Sequence, residues 1–456
     1  MRSRIQHKIQ LSLRCAVFSL LAVTGASLHA LDRQPTADYH ARRTALANKL
    51  NGGIAVLFAA EEPLLDFMPY RQDEDFYYLT GWNEPGAALL IEAPQPAQGT
   101  HPARAYREVM FLPTRNLRME LYTGVKLDAA TTNAPQVAGV DEVKPMTDLA
   151  LTINQLATEN RAAMYHIWSE TDVDQAKALV TWTATTLGME SSPPFSDVRS
   201  PIHQLRETKD AGELTLLHKA SDASVQAQFA MMKSVHPGQK ERTVAGIILE
   251  KLMENGCERP SYAPIVGSGE KSTELHYSDN SQTMQSGDVV VVDAAGEYSM
   301  YASDITRTVP VSGHFAARQR EIYDIVLGAQ KAAMEGFVAG KSHLNDPQHK
   351  YPDSLDTIAF NYMNAHGKDL HGEPLGKYFI HGIGHSVGIN VHDPYDYTQP
   401  IQKGMVFTIE PGIYIPEEKI GVRIEDVFYA DQDGKLIDLT EALPKDAEAV
   451  EAAMHK

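Results

Sequence analysis

Cysteine is almost missing from this chain: Cys15 and Cys257 are the only two in 456 residues. A disulfide framework is excluded, and so is a closed, cysteine-rich structural zinc site. Positive charge is also scarce, with 41 Lys and Arg against 59 Asp and Glu and a net charge of -18. The basic residues are interspersed rather than striped, so a nucleic-acid partner is excluded. The apolar stretch at residues 15–25 falls short of the roughly 20 residues that a membrane-spanning helix needs. There is no solenoid-type repeat or low-complexity tract. A zincin motif is absent as well. His381 and His385 have its spacing, but Gly382 stands where its catalytic glutamate belongs.

What is present begins with a targeting segment. Arg2, Arg4, Lys8 and Arg14 are basic, residues 1–30 hold no acid, residues 15–25 (CAVFSLLAVTG) are apolar, and Leu28-His29-Ala30 resembles a cleavage site. These flanks predict a signal peptide over residues 1–30 and an exported, periplasmic or secreted protein with no stable membrane span after cleavage. Removing four positive charges takes the net charge to about -22 and leaves Cys257 alone.

The length fits two domains, 31–200 and 201–456. In the first, residues 38–50 and 149–156 have helical character, as do residues 172–187. Residues 53–60, 87–91, 107–112 and 164–168 are strand-like, giving an alternating α/β pattern. The Pro/Ser-rich stretch 191–201 marks the boundary. The second domain opens with one long helix in which Leu205, Leu214, Leu217, Ala220, Ala223 and Ala227 recur at helical spacing, stopped by His236-Pro237-Gly238. Helices follow at 243–255 and 319–335. The remainder is strand-rich.

The chemistry concentrates there. The run Val289-Val290-Val291-Val292 is a buried strand that ends on Asp293. After a turn over 294–299, a return strand carries Asp304, so two carboxylates share one hairpin. A second hairpin runs from VFTIEP (406–411) through a loop at 412–415 to GVRIEDVF (421–428), placing Glu410 and Glu425 on adjacent apolar strands. Between the hairpins lie His381, His385 and His392. Taken singly, an Asp at a strand end is a turn residue and a His in a Gly-rich loop is a surface residue. Their ordered occurrence over residues 293–425 carries the signal. Four carboxylates and one imidazole among apolar strands form a hard donor set suited to two divalent cations of the manganese, cobalt or iron type. Such a pair would acidify a bridging water and polarise a carbonyl. His276, His381 and His392 could stabilise an oxyanion or move a proton, and Arg423 could clamp a ligand carboxylate.

The order Asp293, Asp304, His385, Glu410, Glu425 resembles the pita-bread metallopeptidases. The segments DAAGEYSMYASDITRT, HGIGHSVGINVHD, IEPGIY and VRIED resemble that family's proline-specific branch. YRQDEDFYYLTGWNEPGAALLI (70–91) resembles the N-terminal domain of aminopeptidase P more than that of prolidase. The resemblance implies an α/β N-terminal domain followed by an α+β pita-bread catalytic domain, an antiparallel sheet with flanking helices. It implies Asp293, Asp304, His385, Glu410 and Glu425 as ligands of two metals, manganese foremost, with His385 and Glu410 on one metal and Glu425 bridging. Glu410 would be general base and then acid. His381 and His392 would line the substrate pocket, His276 would sit close to the scissile carbonyl, and Tyr414 and Arg423 would form a relay to Asp293.

The implied reaction is release of the first residue from peptides with proline second, by attack of a metal-bridging hydroxide on the Xaa-Pro carbonyl. The implied assembly is a homo-oligomer, dimer or tetramer. The alternatives are an Xaa-Pro dipeptidase (prolidase) with the same ligands, a non-catalytic binding module on this fold, and a creatinase-like C–N hydrolase, whose plan lacks the metal set retained here. Asp73 and Asp75 are expected to cap or salt-bridge locally.

Overall fold

The computed structural model describes residues 31–62, 69–97, 99, 102–160, 164–166 and 195–455. The signal segment and the helix expected over 172–187 lie outside these described residues. In the N-terminal half, a helix over Thr36–Lys49 leads to β1 (Ile54–Phe58), β2 (Ala88–Glu92), β3 (Arg107–Leu112), β4 (Glu142–Pro145), β5 (Met164–His166) and β6 (Phe195–Asp197), which form one sheet in the order β4-β3-β2-β1-β5-β6. The central β1–β2–β3 ladders are antiparallel and the flanking ones parallel. Alternation sorts the side chains. Ile54, Val56, Ala88, Leu90, Val109 and Phe111 pack on Leu149 and Ile153 of the helix Leu149–Asn160. Leu57, Leu89, Ile91 and Met110 are buried on the opposite face. Glu108 of β3 is fully buried and takes two bonds from Arg43, at 2.6 and 2.8 Å, so its charge is paired.

The expected long helix at the start of the second half is two helices, Arg199–Arg206 and Ala211–Ser234. Residue 205 therefore belongs to a separate helix from 214–227. The break has a local cause. Asp210 accepts from the backbone N–H of Glu213, and Glu213 accepts from that of Asp210, a reciprocal capping box that starts a new helix. The helix Arg199–Arg206 runs across position 200, and the described residues from 34 onward form one compact unit.

The C-terminal half contains the strands β7 (Arg259–Pro260), β8 (Ile265–Ser268), β9 (Val289–Asp293), β10 (Gly296–Tyr298), β11 (Tyr301–Ala302), β12 (Thr306–Pro310), β13 (Val406–Ile409), β14 (Gly412–Ile415), β15 (Ile420–Arg423), β16 (Asp426–Ala430) and β17 (Leu436–Asp438). They form the small sheets β12-β9-β8, β11-β10-β7, β13-β16-β17 and β14-β15, all antiparallel among the described residues. Helices Ala211–Ser234, Glu241–Glu254, Ala317–Gly336, Leu355–His366 and Ala447–Met454 flank them.

Two expectations are corrected here. Residues 294–299 are not a plain turn, because β10 and β11 are inserted between β9 and β12. They are joined at Ser299 and Met300, whose φ angles of 49° and 74° make the tight two-residue turn that glycine or asparagine usually marks. As a result Asp304 precedes β12 rather than lying on it. Residues 412–415 are not a loop but β14, paired with β15, so Glu410 and Glu425 sit where one strand pair hands over to the next.

Candidate metal centre

Each carboxylate lies where a ladder stops. Asp293 ends β9, Asp304 lies between β11 and β12, Glu410 follows β13, and Glu425 separates β15 from β16. Thr306 ties the two acidic segments together. It pairs with Asp293 across the β9–β12 ladder and forms an isolated bridge with Glu425. Its hydroxyl donates to Glu425 Oε2 at 2.6 Å and accepts from Arg423 Nε at 3.1 Å. The histidine loop runs beside β13: Thr408 N–H donates to the His385 carbonyl at 2.9 Å, and Glu410 N–H to that of Ile383 at 2.7 Å. Only glycine fits at position 384, since a Cβ would stand 2.1 Å from the Thr408 carbonyl oxygen.

The ligand atoms of Asp304, His385 and Glu425 lie within 4.8 Å of one another. His385 Nε2 is 3.3 Å from Asp304 Oδ2 and 3.4 Å from Glu410 Oε1. Asp293 joins through Tyr262, whose hydroxyl is 2.5 Å from both Asp293 Oδ1 and Asp304 Oδ1. All five expected ligands thus meet in one place. They are short of positive charge. Burial raises Asp293 despite Arg423, lifts Glu410 to about 7, and raises Glu425 well above the carboxylate range, with Asp304, Glu410 and Asp293 adding repulsion. Burial opposes protonation of His385, but Asp304 and Glu410 outweigh it and lift the imidazole to about 9. The donor set fits divalent cations: a single Tyr262 proton cannot serve both aspartates, and buried carboxylates this close need cationic partners.

The remaining site residues form a relay and a cavity. Arg423 Nη2 donates to Asp293 Oδ2 at 2.5 Å and Nη1 to the Tyr414 hydroxyl at 2.9 Å. Since Arg423 can only donate, the Tyr414 proton points to His381 Nε2, 2.9 Å away. His381 Nδ1–H then donates to the Gly382 carbonyl at 2.8 Å. His381 is a neutral imidazole, held at about 4 by burial and the nearby Arg423 charge. His392 stacks on His385 with ring centres 3.8 Å apart and is also held at about 4, by burial and by the His385 charge. A cavity of 530 Å³ opens over the ligands, and His276, His381 and His392 line it.

The sequence reading missed Tyr262, Thr306, Thr408 and Asn345. Asn345 also lines the cavity and clamps Gly384, donating to its carbonyl at 2.8 Å and accepting its N–H at 3.3 Å. Tyr262 precedes β8, whose Ile265 pairs with Asp293. That register was its one available signal.

Residues 39–165 match the model of the aminopeptidase P N-terminal domain, and residues 215–432 match that of metallopeptidase family M24. The chain is 32% identical to the Xaa-Pro aminopeptidase of Haemophilus influenzae over 92% of its own length and 98% of the relative's. The chain belongs to the aminopeptidase P family of M24 metallopeptidases. Its fold is correspondingly an aminopeptidase P-type α/β N-terminal domain followed by a pita-bread catalytic domain. Escherichia coli aminopeptidase P with the inhibitor Pro-Leu superposes with a TM-score of 0.80 at 30% identity, covering 93% of this chain and 99% of that one. The Xaa-Pro dipeptidase of Pyrococcus furiosus is 37% identical, but over only 53% of this chain and 65% of its own.

Proposed function

We propose that this chain is a metal-dependent exopeptidase that releases the first residue from peptides with proline in second position. The observation that carries the reading is the extent of the likeness. Xaa-Pro aminopeptidases correspond to both halves of the chain, whereas the dipeptidase corresponds to about one half. The intact donor set supports an enzyme over a binding module or a creatinase-like hydrolase.

Asp293, Asp304, His385, Glu410 and Glu425 would hold two divalent cations, manganese first, because the set is hard and oxygen-rich. When bound, the cations supply Lewis acidity, which polarises the scissile carbonyl and makes water nucleophilic at neutral pH. The chain's own groups do the rest. Glu410 is the most exposed of the paired ligand side chains, at 15%. It takes a proton from the attacking water and returns it to the prolyl nitrogen, which carries no N–H and must leave as a secondary amine. His381, with its proton on Nδ1 and Nε2 engaged by Tyr414, keeps Arg423 and Asp293 in register. His276 and His392 flank the carbonyl. The substrate class is peptides with penultimate proline. Export through the 1–30 segment and assembly as a dimer or tetramer belong to the same proposal.

The test uses mature protein stripped of metal and supplied with manganese, with Gly-Pro, Arg-Pro-Pro and Arg-Ala-Ala as substrates. Release of Arg from Arg-Pro-Pro, with Arg-Ala-Ala spared and activity lost in Asp304→Ala, is the expected outcome. Turnover of Gly-Pro alone would make the chain a dipeptidase, and turnover of none would make it a binding module.

A further inference from the structure

A second cavity, of 450 Å³, adjoins the metal centre. Tyr262, Ala263, Val391 and His392 line both, so the two cavities adjoin at these residues. Its far wall carries two guanidinium groups, Arg71 from the N-terminal half and Arg259 from β7, with Glu297 of β10 between them. The two arginines are not equivalent. Arg71 is spent on structure: Nε donates to Glu297 at 2.8 Å, Nη2 to the Ile389 carbonyl at 3.0 Å, and Nη1 to Glu74. Arg259 Nε stands 3.6 Å from Glu297, beyond hydrogen-bond reach. Among the described residues, Arg259 donates one hydrogen bond, to the Pro69 carbonyl. Its side chain is only 17% exposed, and most of its five N–H groups are uncommitted. The backbone holds it in place, since Arg259 and Pro260 pair with Glu297 and Gly296.

We propose that this cavity receives the substrate beyond its proline, and that Arg259 takes a carboxylate from that segment: the C-terminal carboxylate of a tripeptide or an acidic side chain further on. The proposal rests on the exopeptidase reading above and deepens it. An enzyme that removes a single residue has the bulk of its substrate on one side of the scissile bond. Each further residue advances about 3.3–3.6 Å, so the third residue needs room next to the metal cavity, and the adjoining cavity offers it. A half-buried guanidinium with spare coplanar donors is matched by a carboxylate, which it binds through two parallel hydrogen bonds. The same cavity gives a physical reason for turnover of peptides longer than a dipeptide.

The experiment compares kcat/KM for Arg-Pro-Pro as the free acid and as the C-terminal amide, in the manganese-loaded wild type, Arg259→Gln and Arg259→Lys. The wild type is expected to favour the acid about tenfold, Arg259→Gln to bring the ratio near one, and Arg259→Lys to retain part of the preference. Inhibition by the dipeptide Pro-Pro against its amide should follow the same order. A loss of packing would lower both forms equally and leave the ratio in place. An acid-to-amide ratio unchanged in Arg259→Gln overturns the proposal. So does a shift confined to the choice between Glu-Pro-Pro and Lys-Pro-Pro, which would give the cavity to the first residue's side chain. Wild-type turnover of neither form removes the functional reading and this proposal together, whereas failure of the proposal alone leaves both forms cleaved.

Discussion

Loss of Arg206 should be costly although it lies outside the metal centre. It is 3% exposed and joins both halves of the chain, donating to Asp75 Oδ1 at 2.6 Å, Asp393 Oδ1 at 2.6 Å and Asn390 Oδ1 at 2.5 Å. Asp393 directly follows His392, and its N–H donates to the Ser386 carbonyl at 2.9 Å, so the bridge also sets the turn that carries His392. Replacing Arg206 with Met keeps the bulk and strands two buried carboxylates. Breaking a buried pair by removing one partner costs about 3–5 kcal/mol. The lower end applies here. Lys209 stays 2.8 Å from Asp393, and His203 Nε2 lies 3.4 Å from Asp75, so about 3 kcal/mol is expected from urea unfolding at pH 7. Adding Asp75→Asn should recover part of that loss, because the two positions share one interaction.

The pH dependence follows from the same charges. Burial opposes ionisation of Asp75 and Asp393, but Arg206 overcomes it, aided by His203 at Asp75 and Lys209 at Asp393, and both carboxyls lie below their ordinary range. Depressed folded-state values stabilise the protein above the unfolded value of about 3.9, and this is lost as pH falls through the folded values. The deficit of Arg206→Met should therefore begin to shrink above about pH 4, because burial without the guanidinium makes the stranded aspartates protonate above their ordinary value, and it should continue to shrink until the wild-type aspartates protonate in turn. A deficit under about 1 kcal/mol at pH 7, or one that persists unchanged in acid, would refute the reasoning.

Three further outcomes are expected. Gly384→Ala forces a Cβ against the Thr408 carbonyl and should cost about 1–3 kcal/mol, with reduced metal content by elemental analysis because His385 is displaced; a variant with wild-type stability and metal content would contradict the close approach. Tyr414→Phe removes the hydroxyl between His381 and Arg423 and should lower kcat/KM about ten- to a hundredfold with unchanged far-UV circular dichroism; full activity would show that the relay is idle. Chelation should lower the thermal midpoint and manganese should restore it, since a bound cation stabilises the folded state by mass action and relieves the repulsion at Glu425; a midpoint insensitive to chelator would argue against the metal centre.

The central strands of the first domain were legible because β1, β2 and β3 are apolar runs buried on both faces. The edge strands β4 (EVKP) and β6 (FSD) were not. They are short and polar, as edge strands are when they must not recruit another chain. The insertion of β10 and β11 was hidden because its turn uses Ser299 and Met300 in place of the glycine or asparagine that advertises such a conformation. The two aspartates expected to act locally divide in an instructive way. Asp73 caps its own helix through the N–H of Phe76 at 2.8 Å, a three-residue relation visible in sequence. Asp75, two positions on, pairs with a residue 131 positions away.

That contrast marks what each level decides. Sequence alone determines the interactions that periodicity and neighbouring residues control: the Val289–Val292 strand, the capped helices, the two acid-bearing segments, and the hard chemistry of Asp293, Asp304, His385, Glu410 and Glu425. Only the tertiary structure decides how these segments meet. Thr306 must lie between Asp293 and Glu425, Tyr262 must reach two aspartates, and Arg206 must hold the loop of His392. Those contacts join residues tens to hundreds of positions apart. No local rule specifies them, because they follow from how the whole chain buries its apolar faces and pairs the charges that burial traps.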